Sequence, residues 1–216
     1  MRHYLLITGL VAFATCISPS SARADLLATT PVYDDLWDHS RGAEVTAQSA
    51  RSGGTDGISM LGGTAGTWEP NNVLFEDNHS YLYPHYVEWQ TSTPVTIGGF
   101  NLFASADTTS SDPSDPSYSR RSFARFRLYA WNGTQFQTVF DGVPVLPYTW
   151  PVFSVGLTTS VTASRWRAEF YQQVWTNPIA PTAGGYYGPR IVELDGFAVP
   201  EAGTLTLFAL SSLGLL

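Results

Sequence analysis

The sequence predicts an all-β fold, an antiparallel β-sandwich, from three observations. The chain is rich in glycine, proline, serine, threonine and aromatic residues. Its apolar residues alternate with polar ones over short runs, and no window carries apolar residues at sustained helical spacing.

Residues 43–50 form the first predicted strand, and a Gly/Ser/Thr loop over 51–67 follows it. Residues 86–90 form the next, Thr93-Pro94 a turn, and 95–103 the strand after it. The run 125–131 alternates strictly, with Phe126, Leu128 and Ala130 on one face and Arg125, Arg127 and Tyr129 on the other. Asn132-Gly133 is the pair best able to hold positive φ in a type I′ turn, so a hairpin returning over 135–140 is expected. Residues 150–157 and 165–174 read as two further strands, and 190–197 closes the domain. In 165–170 the apolar set Trp166, Ala168 and Phe170 opposes the charged set Arg165, Arg167 and Glu169, giving one core face and one wet face. Long loops over 105–121 and 176–189 lie between strands, where a rigid sandwich usually carries its binding residues.

Both ends of the chain read as handling signals. Arg2 and His3 precede an apolar run over 4–17, and Ala22 and Ala24 supply the small residues that signal peptidase accepts, so residues 1–24 are expected to be a signal peptide. The sandwich then occupies 25–198, followed by a tail over 199–216 whose apolar part, 205–216, is about 18 Å long as a helix and too short to span a bilayer.

The chain of 216 residues carries 18 acidic against 11 basic residues, a formal charge of −7. All the basic residues are arginine, and losing Arg2 and Arg23 with the leader makes the mature form more acidic still. Nucleic acid is excluded as an expected partner, because phosphate binding needs a basic surface. Cys16 lies in the leader, so the mature domain is expected to have neither disulfide nor thiol nucleophile. The residues before Cys16, Phe13-Ala14-Thr15, match poorly the pattern that lipoprotein processing prefers.

Pro200 and Glu201, followed by Ala202-Gly203-Thr204 and the apolar run, resemble the PEP-CTERM sorting tail of bacterial exported proteins. Tails of that family usually read Pro-Glu-Pro and end in arginines. Here Ala202 stands at the second proline and no basic cluster follows. The resemblance implies processing by an exosortase-type enzyme, transient membrane contact through the tail, and delivery to the envelope or the extracellular polymer.

The segments 86–90, 94–100, 126–140, 163–170 and 189–197 together resemble the discoidin-like, galactose-binding-like jelly roll. That resemblance implies a sandwich presenting loops at one end, often for carbohydrate or lipid head groups. It also implies a structural Ca²⁺ held by a glutamate of the closing strand, here Glu193, together with an Asp/Asn loop, here Glu76, Asp77 and Asn78; hard oxygen ligands suit that ion. The terminal disulfide that many members carry is absent.

Glu193 and Asp195 sit about 7 Å apart along one strand face, a spacing that glycosidase carboxylate pairs use. Their arrangement resembles the Glu-x-Asp-x-Glu strand of laminarinase-type glycosidases, with Phe197 in place of the third acid. A solvated acidic strand and a metal ligand are the other readings. His39, His79 and His85 fit neither zinc spacing nor a hydrolytic triad. Trp150, Trp175, Tyr186 and Tyr187 are candidate ligand-stacking rings in loops. The function expected is an exported, non-catalytic envelope or matrix module binding carbohydrate, with exopolysaccharide as a candidate partner; a glycosidase-like enzyme and a purely structural surface protein are the alternatives.

Overall fold

The computed structural model describes residues 24–25, 34–52, 56–62, 72–105, 121, 123–142, 152–173 and 187–198. Among the described residues, eight strands form one continuous antiparallel hydrogen-bonded network: β1 (Ala24–Asp25), β2 (Glu44–Gln48), β3 (Val73–Leu74), β4 (Pro84–Ser105), β5 (Phe123–Trp131), β6 (Phe136–Gly142), β7 (Val152–Gln172) and β8 (Arg190–Phe197). Short 3₁₀ turns lie at His39–Arg41 and Gly57–Met60.

Two very long strands fold this network into two layers. β4 pairs with β7 along its whole length, from Pro84↔Tyr171 to Phe103↔Val152, with register shifts between Gln90 and Val95 and between Ile97 and Gly99. The first part of β4 and the last part of β7 lie between β2 and the β5–β6 hairpin, while their other halves lie between β8 and β1. A Cβ at Gly99 would stand 2.6 Å from both the Phe197 ring and the Val155 carbonyl, so the second shift requires glycine.

Aromatic rings join the layers along their length. Phe100 meets Phe126 and Phe140 at 5.6 and 5.3 Å between centroids, and Phe75 meets Phe170 at 5.8 Å. At the far end Trp37 packs 5.1 Å from both Trp89 and Trp166. Each such pair contributes about 0.5–1.5 kcal/mol beyond the area it buries.

The predicted alternation holds in β5 and in 165–170: Phe126, Leu128, Ala130, Trp166, Ala168 and Phe170 are core. Their charged neighbours form rows across the outer face of the β2-β4-β7-β5-β6 layer. The register sets Tyr86, Glu169, Arg127 and Asp141 in one row, and Glu88, Arg167, Tyr129 and Thr138 in the next.

Three expectations need correction. Thr93-Pro94 does not end a strand, since β4 runs through it as a bulge where proline's missing N–H breaks only a local ladder bond. Residues 150–157 and 165–174 are not two strands, since β7 is continuous from Val152 to Gln172. The β5–β6 hairpin exists, but its loop is longer than a type I′ turn. Gly133 alone in that loop has positive φ, and the Asn132 carboxamide accepts from the Thr134 and Gln135 amides, which fixes residues 132–135 as an Asx-capped loop. The sorting residues Pro200 and Glu201, Ala22, and the ring candidates Trp150, Trp175 and Tyr186 lie outside the described residues.

Candidate functional site

Two constellations stand out, one at a loop end and one against β8. The loop end begins at residues 76–83, between β3 and β4. Here Tyr81, Leu82 and Tyr83 are consecutive large apolar side chains, 55%, 43% and 37% exposed. Tyr83 stacks on His79 with centroids 3.9 Å apart and planes 9° apart, and His85 meets both rings edge-on at 5.1 Å.

The backbone that presents these rings is strained. Leu82 is held at φ 62 and Asn78 at φ 71, a region bulky side chains rarely occupy. Leu82 stays there because its N–H donates to the Gln172 carbonyl at 2.9 Å, while the Gln172 N–H donates to the Tyr83 carbonyl. The cost is on the order of 1–3 kcal/mol, borne at the place where the rings face solvent.

Three loops are tied together beside the rings. Arg121 pairs with Asp77, and the Asp77 carboxylate also accepts from the Gly188 N–H at 2.8 Å. The Arg121 guanidinium lies 5.1 Å from the Tyr187 ring centroid and donates to the Gly188 carbonyl. His85 donates from Nε2 to Gln172 at 2.6 Å, and Gln172 donates to the Tyr187 carbonyl at 2.6 Å. Burial pushes the His85 imidazole down to about 4, so it is neutral; with Nε2 the donor, Nδ1 carries no proton and meets no partner among the described residues.

Against β8, the structure corrects the reading of Glu193 and Asp195 as solvated acids. Both are buried, and Asp35 joins them with one ligand oxygen of each residue lying within 4.8 Å of the others. Asp35 arrives there because the Leu36 N–H donates to the Gly196 carbonyl at 2.7 Å; its carboxylate then accepts from the Trp37 and Gly196 amides. Glu193 accepts from the Gly62 N–H at 3.0 Å. Among the described residues, one oxygen of Asp35 and one of Glu193 remain buried without a hydrogen-bond partner.

Burial, and then the Asp195 charge, raise Asp35 to about 7. The same two causes raise Glu193, and burial raises Asp195. A buried carboxyl that solvent barely touches cannot grip a sugar, so this couple does not form a glycosidase site.

The calcium set expected from the sequence does not assemble. Glu193 belongs with Asp35 and Asp195, whereas Asp77 is engaged by Arg121 and Gly188, Glu76 lies 3.6 Å from His79, and Asn78 is exposed. Three carboxylates with two unsatisfied oxygens and no nitrogen or sulfur donor fit a hard divalent cation such as Ca²⁺. Of the ring candidates, Tyr187 lies half-buried at the loop end under Arg121. The residues missed by sequence reasoning are Asp35, Arg121, the exposed Tyr81 and Leu82, and the stacked His79 and Tyr83.

Two facing antiparallel layers on one bent β4–β7 ribbon define an antiparallel β-sandwich. No family model and no curated protein matches the sequence. Among solved structures, the fold is similar to that of SpGH29, at 15% identity and TM-score 0.50, over 77% of this chain and 28% of that one. It is similar to the family 32 carbohydrate-binding module of EndoD from Streptococcus pneumoniae, at 16% identity and TM-score 0.51, over 77% of this chain and 100% of the module. A third is GH31 CBM32-2 bound to GalNAc, at 7% identity and TM-score 0.51, over 73% and 98% of the two chains. The match thus spans whole modules but under a third of the longer SpGH29 chain, and at these identities it defines the fold.

Proposed function

We propose that the protein is an exported, non-catalytic carbohydrate-binding module of the cell envelope or extracellular matrix. The observation that carries this reading is the consecutive, outward Tyr81-Leu82-Tyr83 with Tyr83 stacked flat on His79. Exposed rings on a strained, fixed loop are the arrangement that receives the apolar face of a sugar, and the Asp77–Arg121–Gly188 tie beside them holds the loops that carry the rings. The GalNAc-bound module of the same fold supports a sugar as ligand.

In this reading Asp35, Glu193 and Asp195 hold a structural Ca²⁺. The bound ion supplies positive charge that lets three carboxylates ionise together, fixing β8 to the 34–37 segment and to Gly62. The leader and the Pro200-Glu201 tail deliver the domain through signal peptidase and an exosortase-type enzyme. A glycan array carrying galactose- and GalNAc-terminated chains, read alongside a reducing-sugar assay, tests the function. Glycan retention without sugar release supports it, and release of reducing sugar contradicts it.

A further inference from the structure

Outward positions recur every second residue of a strand, so Arg125 and Arg127 stand about 7 Å apart on β5, as do Arg165 and Arg167 on the adjacent β7. Four of the chain's eleven basic residues therefore gather on one sheet face of a protein whose formal charge is −7. The depth of the charges sets what solvent meets. The arginine side chains are 27–38% exposed, whereas Glu88 and Glu169, which pair with Arg165 and Arg167, are 12% and 11% exposed. Glu88 and Glu169 lie beneath the guanidinium groups, whereas Asp141, 31% exposed, lies level with Arg125 and Arg127 and pairs with both.

Each guanidinium also lies near a ring: Arg165 4.9 Å from the Trp131 centroid, Arg167 4.3 Å from Tyr86, and Arg127 5.3 Å from Tyr171. Stacking occupies the flat face of a guanidinium and leaves its N–H edge for in-plane acceptors: Asp141 takes the edges of Arg125 and Arg127, Glu88 and Glu169 take that of Arg167, and Arg165 gives a single N–H to Glu88, so an anionic ligand would exchange with these carboxylates.

We infer that the outer face of the β2-β4-β7-β5-β6 layer is a second binding surface, taking an anionic polysaccharide along its two arginine rows. Repeated cations at a fixed spacing suit a polymer with repeated charge. Nucleic acid fits less well, because its bases stack on bare rings and these rings are capped by guanidinium. The surface is independent of the loop-end reading, which concerns neutral sugar.

The test measures binding of the secreted protein to polygalacturonate and dextran sulfate across a salt series, with neutral dextran, poly(dT) and sedimentation as controls. Wild type should bind both anionic polymers with an affinity falling steeply with salt. R125Q/R165Q should bind about tenfold more weakly after losing two cationic contacts, and Asp141→Asn, which uncovers Arg125 and Arg127, should bind more tightly. Tyr81→Ala should bind like wild type. Indifference of wild type to both polymers at low salt, equal binding to dextran, or unchanged affinity in both arginine and Asp141 variants would overturn the inference. So would tighter binding of poly(dT), or a concentration-dependent dimer that R125Q/R165Q abolishes.

Discussion

Asp35 and Glu193 bring carboxylate oxygens within 4.8 Å of each other in the interior, and each carries one oxygen that no donor among the described residues satisfies. Two such groups cannot both ionise in a low-dielectric site unless a cation lies between them; without one, one of them keeps its proton. Their chemistry therefore sets the stability of the β8 edge.

Adding Ca²⁺ to chelated protein should raise the melting temperature, by the equivalent of about 2.7 kcal/mol at one hundred times the dissociation constant. The shift should grow from pH 5 to pH 8. The folded pKa values of Asp35 and Glu193 are raised above their ordinary values, so the metal-free cluster contributes stability at low pH that is lost as pH rises through those values, and Ca²⁺ then replaces the lost protons. Glu193→Gln should be no less stable than chelated wild type yet show no calcium shift. Scanning fluorimetry with Ca²⁺ and EDTA checks both variants and pH values.

His85 acts in the opposite direction. Its folded pKa is lowered to about 4 from 6.5, so the unfolded chain takes the proton first, and the stability it contributes is complete above about 6.5 and lost as pH falls toward 4. The limit of this loss is about 3 kcal/mol. Urea unfolding at pH 4.5 and 7 should show that His85→Phe narrows the difference between the two pH values relative to wild type. An unchanged difference would mean that His85 carries no such penalty.

Gly196→Ala should destabilise the domain. The new Cβ would stand 2.5 Å from the Trp37 ring, which is pinned between Trp89 and Trp166. Overpacking of this kind costs about 1–3 kcal/mol. Chemical denaturation together with a change in tryptophan emission reads the effect.

β5 was legible because strict alternation has one meaning, and β8 lies over the residues expected of the closing strand although both of its faces are buried. The continuity of β4 and β7 was not legible, since Thr93-Pro94 looks like a turn between strands and the stretch between 157 and 165 carries no sustained alternating apolar set, while a bulge keeps the chain in the sheet. Asp35 has no local signal. It reaches Glu193 through the pairing of Leu36 with Gly196, a contact between distant parts of the chain. His79 and Tyr83 were visible as rings, yet a stack produced by the turn at Leu82 follows no residue-spacing rule.

Export makes its own prediction. N-terminal sequencing of the secreted protein should begin at Asp25, leaving Cys16 behind in the leader. An acylated Cys16 at the mature terminus would contradict it.

Sugar binding at the loop end is the central claim, and calorimetric titration with GalNAc and galactose at high salt, which silences the arginine face, tests it most directly. Wild type should bind at least one of the two, and Tyr81→Ala and Tyr83→Ala should each lose that binding while Tyr81→Ala keeps the wild-type melting temperature, because Tyr81 is largely exposed. Absence of binding to either sugar, or binding that survives both substitutions, would contradict the account.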